Sequence, residues 1–123
     1  MNGYVVNIEE KTQQNNFFRQ VLFTTQRSQL VVMALQPGED IGQEIHEDHD
    51  QFIRVEAGTG KAILDGVESD LVDGSAVVIP AGAEHNVINT GTTVMKLYTI
   101  YTPPEHEDGT VHETKAEALS AEH

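Results

Sequence analysis

Two clusters of polar side chains carry the chemistry open to this sequence. The first is Glu44, His46, His49, Asp50 and Gln51; the second is His85, placed just after the apolar run Ala76 to Ile79 and the turn Pro80-Ala81-Gly82, with Asn89 beyond it. In a strand alternate side chains share a face, so Glu44 and His46 point one way and Ile45 the other. After the next turn Gln51, Ile53 and Val55 form one face and Phe52, Arg54 and Glu56 the other. Burying Arg54 and Glu56 would be costly, which turns the Gln51 face inward. His85, Val87 and Asn89 share a face in the same way. The metal ligands this parity selects are Glu44, His46, Gln51 and His85: two imidazoles, one carboxylate and one amide oxygen. Two His and one carboxylate suit Fe(II), and the added oxygen suits Mn(II), so Mn or Fe is favoured, with Ni, Co and Zn left open.

Such a set needs two distant hairpins brought together, and the chain has the punctuation for it. Turn residues recur at Pro37-Gly38, Gly42, Gly58-Thr59-Gly60, Asp65-Gly66, Asp73-Gly74, Pro80-Ala81-Gly82 and Thr90-Gly91. Between them lie runs of strand length: Leu30 to Leu35, Phe52 to Val55, Lys61 to Leu64, Ala76 to Ile79 and Val94 to Tyr101. Many short strands at this spacing predict a sandwich or closed barrel. Asp65-Gly66 between two such runs is a two-residue hairpin signal, because both turn positions tolerate positive φ. Pro103-Pro104 stops the last long strand. Beyond it, Thr114 to Glu117 has the spacing of a capping box and predicts a short C-terminal helix, with Ala118 and Leu119 as its contacts. The apolar run Phe17 to Phe23 reads either as an edge strand or as part of a subunit contact.

Composition narrows the partners. The 123 residues contain no cysteine, which removes disulfides and thiolate metal sites. Seven Lys and Arg against twenty Asp and Glu give a net charge of -13, a field that repels phosphate backbones and anionic membranes and attracts cations. Nucleic acid and membrane are therefore not expected partners; a small-molecule substrate is. The N-terminus lacks the basic flank and apolar run of a signal peptide, so the expected location is the cytoplasm.

At the quoted residues the chain resembles the cupins. Their first motif, G(X)5HXH(X)3-4E(X)6G, is met at Gly38, Glu44, His46, Gln51 and Gly58, with Glu44 in place of the first His and Gln51 in place of the Glu. The second, G(X)5PXG(X)2H(X)3N, is matched without departure by Gly74, Pro80, Gly82, His85 and Asn89. The two departures keep one negative charge in the set while moving it across the ion. The resemblance covers Leu30 to Tyr101. It implies an all-β fold, a small double-stranded β-helix (jelly-roll) barrel of the RmlC-like type, with a metal in its mouth and usually a homodimer. The whole chain, 1–123, then reads as one cupin domain with a core at about 30–101 and a C-terminal tail from 103 to 123.

Cupin functions run from dioxygenases and oxalate-degrading enzymes through sugar-phosphate isomerases to non-enzymatic binding proteins, so the fold alone decides little. The expected function is a metal-dependent enzyme acting on a small oxygen-rich molecule by dioxygenase-type chemistry, with Glu44 as catalytic base where it does not ligate. The alternatives are a sugar-phosphate isomerase of the phosphomannose type, against which stands the lack of a Lys/Arg cluster near the motifs, and a binding or sensor module. Gln51 either ligates or hydrogen-bonds a ligating His. His49 and Asp50 read as a solvated acidic turn, although His49 shares parity with Gln51. His106 and His112 read as an exposed tail or, alternatively, as a lid over the mouth, and the end at His123 as disordered.

Overall fold

A computed structural model describes residues 2–121. The disordered end expected at His123 lies outside the described residues. In chain order the elements are α1 (Ile8–Gln14), β1 (Arg19–Thr24), β2 (Gln29–Leu35), β3 (Glu44–Ile45), β4 (Asp50–Ala57), β5 (Gly60–Leu64), β6 (Val67–Leu71), β7 (Ala76–Ile79), β8 (Glu84–Ile88), β9 (Met95–Thr102), β10 (Val111–His112) and α2 (Lys115–Ala121). Two antiparallel sheets form, one in the order β10-β1-β2-β9-β4-β7 and one in the order β3-β8-β5-β6. This is the jelly-roll arrangement that the cupin resemblance implies, built from the short strands that the turn spacing predicts.

The predicted runs and the observed strands agree to within a few residues, because the turn chemistry that ends them is strong. Asp65 at φ 48° and Gly66 at φ 82° close the β5–β6 hairpin, pairing Leu64 with Val67. The inward rows of the larger sheet are Val31, Met33 and Leu35 on β2, Leu97 and Met95 on β9, Ile53 and Val55 on β4, and Val77 and Ile79 on β7, which build the core with Ala62 and Val87 from the other sheet. At one end of that sheet the row changes character. Gln29, Tyr101 and Gln51 lie side by side across β2, β9 and β4, so the apolar core gives way to polar groups at the mouth.

Three expectations are corrected. Glu56 is 5 % exposed rather than solvated, paired with Arg54 Nε at 3.0 Å. Its face of β4 is covered by α1, which packs on β2, β4 and β9 and buries Thr12 completely. The inward direction of Gln51 stands, since the Arg54–Glu56 pair does remain on the opposite face. The run Phe17 to Phe23 is not an edge strand: β1 sits between β2 and β10, and Phe18 and Val21 join the core. Finally, the exposed-tail reading of His106 and His112 is overturned, and the segment docks as a short helix with packing contacts requires. Val21 N–H donates to Thr110 O, Phe18 N–H to Glu113 O, and the Gln29 side chain bonds both backbone groups of His106. Helix α2 starts as the capping spacing predicts, Thr114 Oγ1 accepting from Glu117 N–H at 3.1 Å, and buries Ala118, whereas Leu119 is 47 % exposed.

Candidate metal centre

The two motifs meet through backbone. Glu44 on β3 pairs with His85 on β8, and Gly82 N–H donates to His46 O at 2.8 Å. Asp50, the first residue of β4, accepts from Ala81 N–H at 2.8 Å and fixes the Pro80 turn that delivers β8. Glu44 Oε2 then lies 2.6 Å from His46 Nε2, and the His46 and His85 rings sit 5.1 Å apart. The Nδ1 of His85 lies 3.0 Å from Ala83 O, which orients the ring and leaves its Nε2 as the nitrogen open to a ligand.

Gln51 enters from the other sheet. Its Nε2 donates to Thr99 Oγ1 at 3.0 Å, while its Oε1 is buried without a hydrogen-bond partner. A buried acceptor left bare is costly, and the amide oxygen is the atom a cation would use. Burial alone would raise the Glu44 carboxyl, but the hydrogen bond and charge of His46, helped by Arg19, hold it below the ordinary range. The bond from Glu44 in turn raises His46 against the effect of its burial.

Sequence reasoning missed part of this site. His49 is not a solvated turn residue: it is 7 % exposed, its ring lies tilted beside that of His46 with centroids 4.4 Å apart, and its Nε2 lacks an aligned hydrogen-bond partner. Its parity with Gln51 was the available signal. Burial and the neighbouring His46 push His49 down, favouring a neutral ring. Tyr101 presents edges to His46, His49 and His106, and burial raises its phenol so that it stays protonated. His106 is carried inward by the strap that follows Pro103-Pro104; burial, with the charge of Arg19, lowers it to about 4. Arg19 itself is 3 % exposed on the inward face of β1, with Nη1 3.2 Å from His112 Nδ1 and Nε unpartnered. No sequence rule turns a lone Arg inward.

Among the described residues, the ligating atoms that lie within 4.8 Å of one another are those of His46, His49 and Glu105. Glu44 and His85 approach His46 pairwise, as given above. A hollow of about 460 Å³, lined by Ile45, His46, Glu47, Asp48, His49, Pro103, Pro104 and Glu105, opens this cluster to solvent.

The cupin domain family matches residues 31–101. The chain belongs to that family. This cupin is similar to YrkC of Bacillus subtilis, 51% identical over 125 residues that cover 97% of this chain and 67% of YrkC. It is also similar to protein L612 of Acanthamoeba polyphaga mimivirus, 48% identical over 113 residues covering 88% of this chain and 70% of L612. The crystal structure of BH2720 from Bacillus halodurans superposes with a TM-score of 0.95 at 47% identity, covering 97% of this chain and 95% of that one. The residues this cupin shares with the family model run from β2 to β9, so β1, β10 and the strap lie outside the matched span. Among the described residues no helix is long and apolar enough to cross a membrane.

Proposed function

We propose that this cupin holds a divalent transition ion, Mn(II) or Fe(II) by preference, between Glu44, His46, Gln51 and His85, and acts on a small oxygen-rich molecule. The observation that carries this reading is the bare, buried Oε1 of Gln51, a residue paired with Tyr101, whose ring meets His46 edge-on, while His46 in turn meets Glu44 and His85. The donor set fits: imidazole and oxygen donors with no thiolate are what such ions accept. When bound, the ion would supply Lewis-acid polarisation of substrate oxygen and a position for dioxygen.

The chain's own groups do the rest. Glu44, held charged, accepts a proton when it is not ligating, within reach of His46 Nε2 at 2.6 Å. Tyr101 and the strap residue His106 pack edge to face beside the His46–His49 pair and back it on the side away from the hollow's lining. Arg19 puts a positive charge on the barrel interior with no carboxylate within salt-bridge distance among the described residues, which suits a substrate bearing an anionic oxygen. A single buried guanidinium is a thin anchor for a phosphate, so the isomerase reading stays second.

Elemental analysis of the purified protein tests the ion, and oxygen uptake with small dicarbonyl, phenolic and hydroxy-acid compounds tests the chemistry. Wild type is expected to carry about one ion per chain and His85→Ala markedly less; equal metal in both removes His85 from the ligand set. We further propose that the chain pairs with a second copy of itself. Tyr4 and Val5 are exposed, and Tyr4, Phe23, Leu30 and Ile100 line an apolar hollow of about 310 Å³ on the outer surface. Light scattering that returns a monomer mass at micromolar concentration refutes the pairing.

A further inference from the structure

The ligand set proposed above leaves His49 and Glu105 without a role, although the first is buried with a bare Nε2 and the second is held over the mouth by the strap. Glu105 Oε2 lies 3.2 Å from His49 Nε2 and 3.7 Å from His46 Nδ1. Neither approach is aligned as a hydrogen bond. The spacing has another meaning: donors bound tetrahedrally at about 2.1 Å from an ion stand about 3.4 Å apart, and the two distances bracket that edge.

We propose that His46, His49 and Glu105 form a second, outer seat for a divalent ion such as Zn(II) or Co(II), closed by the C-terminal strap. The imidazole pair and single carboxylate leave a fourth position facing the 460 Å³ hollow, where water or a ligand completes the tetrahedron. The observed bond between Glu44 and His46 supports this seat directly. With Nδ1 on the ion, His46 Nε2 carries the proton and donates it to Glu44, the carboxylate–histidine–metal relay that fixes a ligand's tautomer. For the inner seat the same bond has to open, because Nε2 must then face the ion. A neutral imidazole has one free lone pair, so the two seats are alternatives that compete for His46, and filling the outer one ties down the strap. The strap is otherwise held near this point by the Gln29 side chain, whose Nε2 donates to His106 O and whose Oε1 accepts from His106 N–H.

The inference rests on the metal-binding reading of this mouth but not on the inner ligand set, and Co(II) titration of the full chain followed by visible absorption separates them. His85→Ala disables the inner seat, with His85→Gln in its place if the alanine variant does not fold. In that background one Co(II) per chain should still bind with tetrahedral absorption. Adding Glu105→Gln or His49→Ala should weaken it by more than the roughly 10–100-fold that loss of an outer-sphere partner costs. Hydrogen exchange at residues 105–113 should slow on Co(II) addition in the His85 variant and not after Glu105→Gln. If the His85 variant binds no Co(II), or binds it equally well with and without Glu105, the outer seat does not exist, and wild-type binding that needs His85 leaves the inner reading standing. If His85→Ala binds like wild type and Glu105→Gln does not, the inner reading falls and the outer one holds.

Discussion

The two motif segments differ in how completely their polar groups are satisfied. In the second, Asn89 is fully buried and every polar atom of its side chain is used: Nδ2 donates to Leu35 O and Thr93 O, and Oδ1 accepts from Gly91 N–H. Gly74 and Gly82, at φ 89° and 88°, make turns that a side chain would strain. In the first segment, His49 Nε2 and Gln51 Oε1 are buried and bare. A match to a family pattern therefore carries two kinds of information. Much of the second motif builds the barrel, while the first, where the chain departs from the pattern, holds the unpaired atoms that a ligand would satisfy.

The largest effect expected from breaking this contrast is at Asn89. Asn89→Ala strands the buried Leu35 carbonyl, while the Thr93 carbonyl and Gly91 N–H lose their partner where water can reach them, and at roughly 1–3 kcal/mol for a buried orphan the fold should lose about 2–3 kcal/mol. Urea unfolding measures this, and the molecules that remain folded should bind Co(II) as wild type does. A loss below about 1 kcal/mol would mean that water replaces the amide, and Asn89 would not be the scaffold residue described.

A middle-sized effect of opposite signs is expected at Gln51. Gln51→Glu puts a carboxylate where Oε1 is now buried without a hydrogen-bond partner, Thr99 Oγ1 being the partner of Nε2. Without metal the variant should unfold at lower urea than wild type, since a buried unpaired charge is costly. With Mn(II) the order should reverse, affinity tightening by about tenfold, or about 1.4 kcal/mol. Should stability and affinity both fall, the amide oxygen does not face the ion.

The strands and the β5–β6 hairpin are legible in the sequence, because each depends on local patterning and turn chemistry, and parity alone turns Gln51 and His85 to the buried side. Three features escaped it for separate reasons. Helix α1 has the cap signal, Asn7 accepting from Glu10 N–H at 3.0 Å, but Ile8 is its one large apolar residue, so no amphipathic period announces it. The inward turn of Arg19 contradicts the burial preference of its residue type and is decided by tertiary packing alone. The approach of Glu105 to His49 joins residues far apart in the chain, and parity, which gives the face of a strand, says nothing about where a strap returns.

The smallest effect sharpens the comparison by testing how the second motif reaches the strap. Asn86 on β8 donates to Asp40 Oδ2 at 2.8 Å, and Asp40 is paired with Lys115 at the start of α2, so one chain of polar contacts ties the motif to the tail. Burial acts to raise the Asp40 carboxyl, but the hydrogen bonds from Lys115 and Asn86 and the charge of Lys115 outweigh it and hold it below its ordinary value. A carboxyl lowered in the folded state stabilises above its unfolded pKa, and that contribution is lost as the pH falls through the folded value. The advantage of wild type over Lys115→Met should therefore be full above about pH 4 and shrink below it. Both groups are partly solvated, so the difference should stay under about 1 kcal/mol by urea unfolding, with hydrogen exchange in α2 faster in the variant. An advantage that is the same at about pH 3 as at neutral pH would show that Lys115 works through the packing of its aliphatic stem and not through its charge.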